Sequence, residues 1–145
     1  MPLQQSAYRL VFAESSMNMT YGSSYDLAVE VNNISNLSGI KIVIQFEPYY
    51  LSVNSLQQGD FFAESDNIAF LNEFDNNNGR IEIDMSALGL DNGKTGSGVL
   101  ARINLLAQNT GTTSLNFLQG EMIIRDASNN DISIQSFGSC TISIN

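Results

Sequence analysis

The sequence predicts an all-β fold of the sandwich class. Apolar residues recur with a period of two along almost the whole chain, and clusters of Asn, Asp, Ser and Gly break that alternation at short intervals. The 2 prolines and 11 glycines fall where turns are expected rather than inside strands. Eight to ten short strands separated in this way point to a β-sandwich.

The strands follow in order. Tyr8-Arg9-Leu10-Val11-Phe12 opens the series. From Tyr25 to Val31, Leu27, Val29 and Val31 alternate with Asp26, Ala28 and Glu30. Ile40, Ile42, Ile44 and Phe46 alternate with Lys41, Val43 and Gln45, and Ile81, Ile83 and Met85 with Arg80, Glu82 and Asp84. Each run reads as a half-buried strand with one wet face. Turns are expected at Asn32-Asn33, Asn36–Gly39, Gln57–Asp60, Asp75–Gly79, Asp91–Gly98, Asn109–Thr112 and Ser128–Asp131. Val99–Gln108 fits a helix ending near Gly111, or a strand with Val99, Ala101, Ile103 and Leu105 on one face. Its neighbours are all strands, so strand is the assignment.

That assignment bears on GLDNGKTGSG, residues 89–98. A phosphate-binding loop needs Gly-x-x-x-x-Gly-Lys-Ser/Thr between a strand and a helix, because the helix N-terminus holds the phosphate. Here three residues separate Gly89 from Gly93, and a strand is expected after Thr95. The glycines read as a turn.

Length and composition bound the function. The 145 residues suffice for one domain, taken as residues 1–145 with 1–6 flanking it. Met1-Pro2-Leu3 reads as a boundary before the first strand, which suggests a module excised from a longer protein. The net charge of -9 argues against a nucleic-acid partner and against anionic membrane surfaces. No apolar run approaches the roughly 20 residues of a spanning helix, so direct membrane insertion is not expected. The chain has no His and no Trp. Ser-His-Asp and Cys-His catalysis are therefore excluded. The single Cys140 lies in an alternating SCTISIN run and reads as a buried strand position.

Other chemistry is weakly supported. Asp75–Gly79 and Asp126–Asp131 are rich in oxygen ligands, but neither has the Gly and Glu spacing of a calcium-binding hand loop. Both read as hairpin turns. Glu82 with Asp84, and Glu64 with Asp66, are carboxylates two residues apart, which in a strand is ordinary surface charge. Asn18, Asn33 and Asn36 begin Asn-x-Ser/Thr triplets that matter only in a host that glycosylates secreted proteins.

Several segments together resemble one family. Ser38-Gly39-Ile40-Lys41-Ile42-Val43-Ile44-Gln45-Phe46-Glu47-Pro48, followed by Tyr49-Tyr50-Leu51-Ser52-Val53, resembles the cohesin signature of a strand ending in aromatic-acid-Pro and then Leu-x-Val. Gly59-Asp60-Phe61-Phe62, Gly79-Arg80-Ile81-Glu82-Ile83, Gly96–Ile103 and Asn109-Thr110-Gly111-Thr112-Thr113 are similar to later cohesin segments in the same order. The resemblance runs from about Tyr8 to Ile144. It implies a cohesin-like jelly-roll β-sandwich of about nine strands, with no catalytic activity. Cohesins bind dockerin modules and assemble polysaccharide-degrading enzymes on scaffolds or cell surfaces, so the implied setting is extracellular or cell-surface. The calcium of such a pair belongs to the dockerin partner, and no cofactor is expected here. A similar sandwich occurs in carbohydrate-binding modules, which makes polysaccharide a rival ligand, with Tyr49, Tyr50 and Phe74 as the available aromatics.

The resemblance further implies a docking face on the family's third, fifth and sixth strands. It places Lys41, Val43 and Gln45 outward on the third, Leu71 and Glu73 on the fifth, Arg80, Glu82 and Asp84 on the sixth, and adds Leu118 and Gln119. Cohesins often carry Asn or Asp where Gly39 and Lys41 stand, a departure that implies either a different dockerin specificity or no dockerin at all. Val43 and Leu71 would give that face an apolar centre within a charged rim.

Overall fold

The alternating runs form strands, and one of them organises all the others. The computed structural model describes residues 8–62, 68–87 and 93–145. Among these are eleven strands: β1 (Arg9–Phe12), β2 (Ser16–Met19), β3 (Ser24–Gln45), β4 (Leu51–Gln58), β5 (Ile68–Asp75), β6 (Arg80–Ala87), β7 (Lys94–Ala107), β8 (Gly111–Phe117), β9 (Ile123–Asp126), β10 (Ser136–Phe137) and β11 (Ser139–Ile144). A 3-10 turn, Gln119–Glu121, leads into β9.

The first half of β3 pairs with β1 and β7, and β7 pairs with β4. The second half of β3 pairs with β6, β8 and β9; β5 extends beyond β6, and β11 with β2 beyond β8. These are the two leaves of the sandwich, and β3 runs through both. The excess over about nine strands comes from the chain ends. They are cut into short pieces, β1 with β10 on one leaf and β2 with β11 on the other.

The expected turns at Asn32-Asn33 and Asn36–Gly39 are absent as turns; they are irregularities inside the continuous β3. Asn33 and Asn36 both have φ of 61°, a left-handed conformation that Asn tolerates well. The register with β7 shifts between Val31 and Ile34 and again between Ile34 and Leu37, which marks bulges that bend the strand. β7 follows the bend with side chains. The Asn33 amide donates to Ser97 Oγ and the Asn36 amide to Thr95 Oγ1, while the Gly93 amide donates to Asn36 Oδ1. Lys94–Gly98 therefore lies in β7, and Val99–Ala107 is strand as the alternation suggested. Residues 88–92, with the start of the glycine-rich stretch, lie outside the described residues, as do Met1 to Leu3, Glu64 and Asp66.

Between the leaves lies one core. Leu10, Leu27, Val29, Val31, Leu51, Ile103 and Leu105 face Ile40, Ile42, Ile44, Ile81, Ile83, Met85, Leu115 and Ile142, all buried. Each such side chain contributes roughly 1.5–3 kcal/mol by leaving water. Phe12 of β1 stacks on Phe117 of β8 with ring centroids 4.5 Å apart, joining the leaves. Cys140 is buried in β11, as its alternation implied; burial, with the Glu14 carboxylate adding, pushes its thiol up to about 11. No helix among the described residues is long and apolar enough to cross a membrane.

Asp75–Gly79 is the expected hairpin turn between β5 and β6. Asp75 Oδ1 accepts the Asn77 and Asn78 amides, and the Asn78 side chain donates to Oδ2. These bonds, the Asn78 side chain foremost, hold the Asp75 carboxyl below its ordinary range. Asn76 does what a strand would do: its side-chain oxygen accepts the Val53 amide and its nitrogen donates to the Val53 carbonyl, tying the turn to β4. Gly79 closes the turn at φ 74°, and a Cβ there would lie 2.0 Å from the Phe46 carbonyl oxygen. That oxygen belongs to a backbone fixed by the Phe46 amide, which donates to the Gly79 carbonyl. Gly79→Ala is expected to destabilise the domain by about 2 kcal/mol or more, read by chemical denaturation, with no change of fold.

Candidate docking face

The pairing of β5, β6, β3 and β9 places the expected site residues in cross-strand rows. Directly opposed residues in antiparallel strands share a face, with side chains close enough to touch. Leu71 opposes Asp84, Asp84 opposes Lys41, and Lys41 opposes Ile123. One row therefore reads Leu71, Asp84, Lys41, Ile123. The next reads Glu73, Glu82, Val43, with the Leu118 amide donating to the Val43 carbonyl. A third reads Asp75, Arg80, Gln45, Asn116. The register of β5 thus puts Leu71 and Glu73 on the same surface as Lys41, Gln45, Arg80, Glu82 and Asp84. Leu118 is half-buried beside it, and Gln119 is exposed at the start of the 3-10 turn.

Val43 departs from expectation. It points to this face by register but is wholly buried, and it cannot be the apolar centre of a contact surface. It does not belong to the cluster between the leaves either. Its covering follows from its neighbours. Lys41 and Gln45 flank it along β3, Glu82 and Leu118 across the sheet. Around it runs a chain of ion pairs. Lys41 Nζ is 2.9 Å from Glu82 Oε1, Arg80 Nη2 is 3.7 Å from the same oxygen, and Arg80 Nη1 is 3.0 Å from Glu121 Oε1. Glu121 lies in the 3-10 turn, so the Arg80 pair fastens that turn to the sheet.

The apolar groups that do meet water lie at the two ends of the first row. Leu71 is 68% exposed and Ile123 46%. Ile123 was not among the residues singled out from sequence, although its signal was there. Ile124 is buried, so its neighbour in a strand must point outward. Phe74 opposes Ile81 and therefore lies on the opposite side of β5 from Leu71. Glu73 stands directly across from Glu82, a like-charge pairing that costs stability in an isolated sheet. Glu82 is neutralised by Lys41 and Arg80, whereas Glu73 is exposed to solvent.

The Lys41–Glu82 pair also sets the ionisation of the face. The hydrogen bond to Lys41 holds the Glu82 carboxyl below its ordinary range, and the same bond to Glu82 holds the Lys41 ammonium above its own. Among the described residues, no cluster of three carboxylate, thiol or imidazole groups is placed to hold a metal ion. Asp126 does in its turn what Asp75 does in its own, accepting the Ser128 and Asn130 amides. The surface is a charged sheet face with an exposed apolar group at either end of its first row.

Comparison with known proteins agrees with this architecture. The family model for the cohesin domain matches residues 13–144. The chain belongs to the cohesin domain family. Solved structures that it resembles include the non-cellulosomal cohesin from the hyperthermophilic archaeon Archaeoglobus fulgidus, at 17% identity, TM-score 0.78, and coverage of 97% of this chain and 92% of that one. The third ScaC cohesin of Acetivibrio cellulolyticus, solved in complex with the ScaB dockerin, matches at 14% identity and TM-score 0.80, over 94% and 98% of the two chains. A type II cohesin domain from the cellulosome of the same organism matches at 14% and 0.77, over 96% and 95%. No curated protein sequence matches the chain. In this cohesin the sandwich fold is thus retained at low identity.

Two outcomes are expected. Val43→Asp would bury an unpaired carboxylate and should cost about 3 kcal/mol or more of stability in denaturant unfolding. A lowered Glu82 pKa means that the ion pair is complete above the ordinary carboxylate value of about 4.3 and is lost as pH falls through the lower folded value. In a side-chain carboxyl NMR titration, Lys41→Met should move the Glu82 midpoint upward.

Proposed function

We propose that this cohesin is a non-catalytic docking module that captures a dockerin-type module of another protein and so assembles extracellular polysaccharide-degrading complexes. The observation that carries this reading is the row Leu71, Asp84, Lys41, Ile123, which joins two exposed apolar groups through a charged centre. An interface needs buried apolar anchors with a polar surround, and this row supplies both. The charged groups beside it, Glu73, Arg80 and Glu82, lie where they would speed encounter, and the amides of Gln45 and Gln119 would help select among partners. Lys41 is held in its ion pair, so a partner meets it already oriented. The calcium of the pair belongs to the partner, and this chain takes no cofactor.

The test is capture of calcium-loaded dockerin modules on the immobilised domain. Leu71→Asp and Ile123→Asp are expected to weaken capture at least about tenfold, which corresponds to ~1.4 kcal/mol, without lowering the unfolding midpoint. Chelation should release the partner and leave the melting of this domain unchanged. Equal capture by both variants would remove the β5–β6–β3–β9 face as the docking surface.

A further inference from the structure

The turn between β5 and β6 contains a chemically reactive pair, Asn78-Gly79. An asparagine followed by glycine is prone to deamidation, because the glycine nitrogen is unshielded and its backbone adopts the reacting geometry at little cost. The Gly79 nitrogen gives its proton to base and attacks Asn78 Cγ. A new C–N bond forms, the bond to the side-chain nitrogen breaks, and ammonia leaves with a proton taken from water. Water then opens the succinimide at either carbonyl, which leaves aspartate or isoaspartate at position 78. Water is the only co-reactant.

Asp75 engages both reacting groups. Asn78 Nδ2 donates to Asp75 Oδ2 at 2.7 Å, and the Gly79 amide donates to the Asp75 carbonyl at 2.9 Å. The Asn78 amide donates to Asp75 Oδ1 at 3.1 Å, which fixes the backbone between them. Asn78 is exposed, so water reaches its side chain, whereas Gly79 is buried. Gly79 is also pinned from β3, the Phe46 amide donating to its carbonyl at 2.9 Å. For the nitrogen to lose its proton and swing toward Cγ, the bonds to Asp75 must first break. Asp75 cannot assist the reaction. An ionised carboxylate only accepts hydrogen bonds and has no proton for departing ammonia. The bonds it accepts, that from the Asn78 side chain foremost, keep it ionised.

We propose that Asn78 is a latent deamidation site, closed in the folded turn by Asp75 and reactive only when that turn opens. The consequence falls on the neighbouring sheet. The aspartate product would set a second carboxylate against Asp75 Oδ2, where an amide now donates. The isoaspartate product would lengthen the backbone by one atom just before Gly79, where a Cβ would already lie 2.0 Å from the Phe46 carbonyl oxygen. Arg80 follows in the chain and holds the ion pairs to Glu82 and Glu121. A displaced turn would therefore disturb the row Asp75, Arg80, Gln45, Asn116. Opening of the turn sets a chemical lifetime for that face, whatever partner it binds.

The experiment is incubation of the intact chain in mildly alkaline buffer, with and without enough urea to unfold it. Peptide mapping then measures conversion at Asn78 separately from the other Asn-Gly pair, Asn92-Gly93. Asn78 is expected to react at least about tenfold more slowly in the folded chain than in urea, ~1.4 kcal/mol of barrier. Asp75→Ala should raise the folded rate at Asn78 at least about fivefold and leave the rate in urea unchanged. Asp75→Asn, which can still accept the two backbone amides but repels the Asn78 side-chain donor, should fall between. Unfolding midpoints establish that each variant is folded; if Asp75→Ala is not, Asp75→Asn takes its place. Equal rates at Asn78 in the folded and unfolded parent overturn the assignment, as does a folded Asp75 variant that reacts no faster than the parent.

Discussion

The structure depends on a single strand that serves two sheets. β3 enters the first leaf at Ser24 and leaves the second at Gln45, and among the described strands all but β2, which pairs with β11, pair either with it or with one of its partners. Its bend rests on Asn33 and Asn36, whose left-handed backbone releases the ladder for a few residues. The hydroxyls of Thr95 and Ser97 bond the amides freed there, so the crossing loses little hydrogen bonding. Because a one-residue slip would turn every side chain to the other face, the position of these bulges also decides what the second leaf shows to solvent. The row through Lys41 exists because the strand resumes in one register after Leu37.

From that register follows a division of labour on the sheet of β5, β6, β3 and β9. The middle of this face holds a valine, yet the valine is buried. Ion pairs link Lys41, Glu82, Arg80 and Glu121 and anchor the 3-10 turn. Surface ion pairs add little stability one by one, but a linked set holds side chains in fixed positions. The result is a surface whose charges are held in place. Its exposed apolar groups stand at the ends of the row, Leu71 on β5 and Ile123 on β9.

Periodicity revealed the strands because each leaf has one dry face, and the alternation of Ile40, Ile42 and Ile44 with Lys41 and Gln45 survives intact. It misread the Asn-rich stretches at 32–33 and 36–39, since the residues that favour turns also favour bulges. The family resemblance placed Lys41, Gln45, Leu71, Glu73, Arg80, Glu82 and Asp84 together, and the register agrees, but it also placed Val43 in contact with solvent, whereas Val43 is buried. Asn76 looked like turn filler, whereas its amide completes the hydrogen bonding of β4.

The chain ends introduce a further consequence. β1 runs parallel to β10 and β2 parallel to β11, so each leaf holds one strand from either end of the chain side by side. Tension applied between the two ends would load the bonds between β2 and β11 in shear, all together, rather than peel them one at a time. Four residue pairs, Ser16 with Thr141 through Met19 with Ile144, would have to slide at once. Such a clasp would yield late, with the sheet of β5, β6, β3 and β9 still folded behind it.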